Sequence, residues 1–121
     1  MTTIYQRLSP LGFAEWLEKK FPSMTYVIEW LQEQDKEPID SYQRTSTNAL
    51  AFRWLREEKG INNYIDMFKD YVADDNDPYE YQFHLFSTRY RFIYNSKSYD
   101  SHPLAEIAEL EKAAEIIEQQ K

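Results

Sequence analysis

A chain of 121 residues is long enough for one domain with a sizeable core, and 42% hydrophobic with 17% aromatic residues builds that core largely on rings. The net charge of −7 sets the chain against phosphate, which disfavours nucleic acid as a partner and permits a basic protein instead. There is no cysteine, which excludes disulfide frameworks, thiolate nucleophiles and zinc–thiolate sites. The first residues carry no apolar run that would read as a signal peptide, and no stretch approaches the ~18 apolar residues of a membrane span. The chain is therefore expected to be cytoplasmic.

Helix signals dominate the first half. Ser9-Pro10 reads as an N-cap followed by proline at the first helical position, with Leu11, Ala14, Leu17 and Phe21 at helical spacing behind it. Pro22 ends that helix, and Ser23 caps a second one carrying Tyr26, Val27, Trp30 and Leu31. Glu37-Pro38 marks a break. Residues 39–47 are polar and read as a connection, after which Ser46 or Thr47 caps a third helix with the stripe Leu50, Ala51, Trp54 and Leu55. Gly60 stands where a left-handed C-cap glycine belongs.

From Ile61 the spacing of Ile61, Tyr64, Ile65, Phe68, Tyr71 and Val72 predicts a helix with one apolar face. An acidic connection follows, and then the most ambiguous segment of the chain, residues 77–94. Its Asp77-Pro78-x-Glu80 start is a helix signal, and Tyr79, Phe83, Phe86, Tyr90 and Ile93 form one stripe on a helical wheel. Tyr81, Leu85 and Phe92 form a second stripe nearly opposite. Read by alternation, Tyr79, Tyr81, Phe83 and Leu85 share one strand face, and Tyr90, Phe92 and Tyr94 share another. The turn this demands, Ser87-Thr88, lacks the Gly, Asn or Asp of a two-residue hairpin, and the segment shows no third strand to pair with. Phe86 separates the two readings: a helix puts it on the main apolar face, and a strand points it away from Phe83 and Leu85. Pro103 begins a last helix, with Leu104, Ile107, Ala108, Leu110, Ala114 and Ile117 inward and Glu106, Glu109, Glu115 and Glu118 largely outward. The expected fold is a mainly α, single-domain bundle of five to six helices, with an α+β fold carrying a hairpin at 79–94 as the alternative.

Motifs for catalysis are thin. The two histidines, His84 and His102, lack the spacing of paired metal ligands. No Gly-x-Ser-x-Gly elbow is present, and with only Gly12 and Gly60 the phosphate-cradling glycine loops are absent. Asp74-Asp75-Asn76-Asp77 lacks the glycine and the terminal glutamate of a calcium loop. No cofactor and no metal is implied. Arg89 and Arg91 lie among Phe86, Tyr90 and Phe92, a combination common at protein interfaces and equally able to pair internally with the acidic second half. The reading that fits best is a non-catalytic protein-binding module: a small acidic inhibitor, immunity protein, antitoxin or anti-defence factor acting by stoichiometric complex formation. Asp74, Asp75, Asp77, Tyr81, Arg89, Arg91 and Phe92 are its candidate contact residues. The alternatives are a homo-oligomeric structural module and an enzyme built on His84, tyrosines and carboxylates.

Overall fold

The computed structural model describes residues 4–24, 28, 41–69 and 79–120, with the backbone alone for 41–44. Four α-helices and one antiparallel sheet make up this part: α1 (Ile4–Leu8), α2 (Phe13–Lys20), α3 (Ser41–Trp54), β1 (Asn62–Phe68), β2 (Glu80–Ser87), β3 (Phe92–Asn95) and α4 (His102–Gln119). The molecule is an α+β mixture, which overturns the expected bundle of five to six helices. Of the expected second helix, Ser23, Met24 and a helical, buried Ile28 are described, while Tyr26, Val27, Trp30, Leu31, the Glu37-Pro38 break, Tyr71, Val72 and the Asp77-Pro78 start lie outside the described residues.

Local chemistry sets the helix ends. Ser9-Pro10 falls in a 3₁₀ turn (Ser9–Leu11), and Gly12, at φ 115°, separates that turn from α2. The polar stretch read as a connection is helical from Ser41 onward, so α3 starts well before Ser46. Its last turn widens to π geometry over Leu55–Lys59, and Gly60 closes it at φ 65°, the left-handed conformation expected of it. The Leu55 carbonyl accepts from both the Gly60 and the Ile61 amides. A Cβ at Gly60 would only touch the Arg89 side chain, 3.4 Å away, so the positive φ is what favours glycine there. In α4, Ser101 is the N-cap, its hydroxyl accepting from the Leu104 amide.

Two predicted helices are strands instead. In β1, Ile65 turns toward the core, while Tyr64 is on the opposite face and half exposed. The helical spacing of Ile61, Tyr64, Ile65 and Phe68 was thus a coincidence between a turn residue and two strand faces. Strand β1 also supplies the third strand without which a hairpin is marginal. The sheet has the order β1-β2-β3, with Ile65 opposite Phe83 and Leu85 opposite Tyr94. The turn between β2 and β3 spans four residues rather than two. Arg91 takes the positive φ, 57°, that a glycine was expected to supply, and the Ser87 hydroxyl accepts from the Tyr90 amide. The stripe of Tyr79, Phe83, Phe86, Tyr90 and Ile93 expected in the core is dispersed: Phe83 is buried, while Tyr79, Phe86 and Ile93 are exposed.

Phe83 and Leu85 enter one connected core with Phe13, Leu17, Trp54, Leu55, Leu110 and Ile117. Helix α4 lies across the inner face of the sheet, chiefly against β2. Burying each of the large side chains contributes roughly 1.5–3 kcal/mol. Phe13 meets the Trp54 ring at 5.5 Å, and Phe83 stacks on Tyr99 at 6.0 Å. The Tyr5 hydroxyl donates to the buried Asn48 Oδ1 at 2.6 Å, tying α1 to α3.

Three residues of α4 depart from their expected faces, the first being Glu106, whose side chain is only 15% exposed. Leu104 points outward, and Glu109 is completely buried with neither carboxylate oxygen hydrogen-bonded. Burial pushes its carboxyl up to about 8, and the nearby Glu106 charge adds to the rise. The Asn63 amide lies close enough to oppose that shift, although without hydrogen-bond geometry. A carboxyl raised in this way binds its proton more tightly in the fold than in the unfolded chain. Below its ordinary value of 4.5 both states are protonated and nothing is lost. Between 4.5 and about 8 stability falls as pH rises, and above that the whole penalty is present. Glu109→Gln keeps the shape and removes the charge. It should stabilise the protein by a few kcal/mol at alkaline pH, with the gain shrinking to nearly nothing by pH about 4. Denaturant midpoints of both proteins across that range check this, and a gain independent of pH would contradict it.

Candidate functional site on the outer face of the sheet

Period-two alternation gives β2 two different faces. Phe83, Leu85 and Ser87 are buried on one side, while His84 and Phe86 stand on the other. The register brings Tyr64 of β1 opposite His84, and Ile93 of β3 opposite Phe86. The result is an outer face on which Tyr64 is 50%, Phe86 41% and Ile93 82% exposed. With Thr88, Arg91 and Asn95 these side chains line an open concavity of about 770 Å³.

His84 is its organising centre. Its Nδ1 lies 2.7 Å from Asn95 Oδ1 on β3, and its Nε2 lies 2.8 Å from Asp66 Oδ2 on β1. Its ring stacks on Tyr64 with centroids 4.4 Å apart and planes 18° from parallel. One side chain thus ties together all three strands. An imidazolium donates to both oxygens, whereas a neutral ring donates to one and pairs with the other only if the Asn95 amide turns. With the ring charged, or with the Asn95 amide turned, both ring nitrogens are engaged inside the cluster. A general base needs a nitrogen lone pair turned toward a substrate. His84 reaches that state only by giving up one of these bonds. Among the described residues one carboxylate, Asp66, is hydrogen-bonded to it, and no three His, Cys, Asp or Glu side chains gather to hold a metal.

The candidate contact residues part company here. Arg91 is exposed and lines the concavity together with Phe92, which is half-buried. Tyr81 is half-buried near the start of β2, its backbone bridging Tyr99 and its ring edge-on to His102 at 5.7 Å. Arg89 turns back to α3, donating to the Glu58 carbonyl at 2.8 Å. Asp74, Asp75 and Asp77 lie outside the described residues. His102 faces Glu106 Oε1 at 3.1 Å in the first turn of α4. Sequence reasoning missed Tyr64, Phe86, Ile93 and Asn95 and discounted His84. The parity of Phe86 against Phe83 and Leu85 was the signal that could have found the face.

No family model, no curated protein and no solved structure matches this chain. Among the described residues no helix is long and apolar enough to cross a membrane.

His84→Ala removes two hydrogen bonds and a stacked ring from a side chain only 13% exposed. It should lower stability by about 1–3 kcal/mol while leaving the fold intact. Chemical denaturation and far-ultraviolet circular dichroism check this; an unchanged midpoint would mean that the cluster contributes nothing to joining the strands.

Proposed function

We propose that the chain is a non-catalytic protein-binding module whose docking surface is the outer face of the sheet. The observation that carries this reading is the placement of Tyr64, Phe86 and Ile93: large apolar side chains left exposed around a concavity, on a sheet whose other face packs on the core through Ile65, Phe83, Leu85 and Tyr94. A rigid sheet locked by the His84 cluster presents them with little ordering left to occur on binding. Arg91 and Tyr64 supply the residue types that dominate binding energy at protein interfaces. Stoichiometric complex formation, as practised by inhibitors, immunity proteins, antitoxins and anti-defence factors, is the mode of action such a surface serves.

The catalytic alternative finds less support. The His84 nitrogens are both occupied, and the concavity is open and largely apolar. The expectation of a basic partner rests on the charge of the whole chain and on acidic residues outside the described part. The described site is differently charged, with Arg91 on its rim.

The test is affinity capture from the source cell with the wild-type chain and with the double variant Phe86→Ser, Ile93→Asp. Both positions face solvent, so the variant should fold, as circular dichroism will verify. A stoichiometric protein complex formed by the wild type and weakened by at least about a hundredfold in the variant is expected, in line with the loss of two central apolar contacts. Equal capture by both proteins would place the interface elsewhere.

A further inference from the structure

We infer that β3 is a docking edge that takes an extended, acidic segment of a partner protein as a fourth strand of the sheet. The inference rests on the reading of the outer face as a protein-binding surface and adds how the partner binds and what its chemistry is.

The ladder between β2 and β3 fixes which backbone groups of β3 it leaves unpaired. The Ser96 amide donates to the Phe83 carbonyl at 3.0 Å, and the Ser96 hydroxyl accepts from the Phe83 amide at 2.9 Å. Ser96 and Phe83 are therefore a bonded pair. Antiparallel alternation then makes Tyr94 with Leu85, and Phe92 with Ser87, bonded pairs as well. The N–H and C=O groups of Ile93 and Asn95 point the other way, along the outer edge of the sheet. They have no backbone partner among the described residues.

Concavities flank this edge on both faces. The outer one, of about 770 Å³, includes Phe86, Arg91 and Ile93 in its lining. The other, of about 250 Å³, lies between β3 and the end of α4, where Tyr94, Lys112 and Ile116 meet. A strand added to β3 sends successive side chains alternately to the two faces. Its alternate residues would therefore enter one groove and then the other. That arrangement combines backbone bonding for affinity with side-chain pockets for selection.

Charge decides the partner's chemistry. From Tyr81 to Tyr99 the chain carries no Asp or Glu, although it holds 21 acids in all. Arg91 stands before β3, Lys97 follows it, and the Lys112 ammonium lies 4.6 Å from the Tyr94 ring centre. Glu115 pairs with Lys112 at 3.3 Å, and Glu111 lies on the same helix. The ends of the edge are cationic in an otherwise acidic molecule. A segment with apolar residues in alternation and acids at its ends is complementary to this pattern. A second copy of the chain would bring the same cations against each other.

The test selects binders to the immobilised full chain from a displayed library of random short peptides. Enrichment of peptides with alternating apolar residues flanked by Asp or Glu is expected. Their binding should slow hydrogen exchange at the Ile93 and Asn95 amides. Ile93→Pro removes the free amide at a position where an edge strand tolerates proline, and Ile93→Ala keeps it. The proline variant, or an N-methyl group on alternate peptide amides, should weaken binding at least about tenfold more than the alanine variant does. Arg91→Glu should also weaken it. Selection of nothing, selection of basic peptides, or equal losses in the proline and alanine variants would overturn the edge. So would a concentration-dependent dimer abolished by Ile93→Pro. Each of these outcomes leaves whole-protein capture through Phe86 and Ile93 as a separate question, so failure of the edge and failure of the docking face are told apart.

Discussion

The rest of the structure depends on the alternation of a single strand. From Phe83 to Ser87 of β2, alternate side chains are buried and the intervening His84 and Phe86 lie on the opposite face. Phe83 and Leu85 anchor the sheet to α4 and, through the shared core, to Trp54 and Phe13. Because those anchors fix the strand's rotation, His84 and Phe86 have no choice of face. A slip of one residue would bury the polar ring and expose the apolar ones, which is the strongest specification of register a sheet can have. The concavity is therefore not an addition to the fold. It is the other side of the core.

The outer face is held by polar bonds where the inner face is held by packing. His84 bonds to one neighbour strand through Asp66 and to the other through Asn95, and it stacks on Tyr64. Ser96 plays a related part at the end of β3, its hydroxyl accepting from the Phe83 amide and donating to the Lys97 carbonyl. Few of the apolar side chains on that face are needed to hold it together. This is why Ile93 can remain so exposed without loss to the sheet.

Much of the helical part was legible in the sequence, and much of the sheet was not. Gly60 and the start of the last helix at Ser101 and Pro103 follow rules that depend on one or two neighbours. Strand β1 could not be read this way. Its apolar residues meet a helical template by spacing, and only pairing with a segment far along the chain decides between the periods. The hairpin was obscured by its turn, because Arg91 adopts the positive φ for which glycine is the usual sign, at a cost of about 1–2 kcal/mol. The surrounding sheet supplies what the turn residue lacks. For the site, the parity of Phe86 was visible, but its meaning required knowing that the strand was a strand. The burial of Glu109 has no local signal at all, since its neighbours Glu106 and Glu111 mark the same helix as a solvent-facing one.

The buried Glu109 also makes the folded molecule a proton carrier. Near neutral pH the fold keeps a proton on a carboxyl that the unfolded chain releases. Each unfolding event thus delivers close to one hydrogen ion to the solvent, and each refolding event takes it back. The heat absorbed on melting consequently includes the heat of neutralising that ion. Its value will differ between a phosphate buffer and an amine buffer at the same pH, although the conformational transition is identical in both.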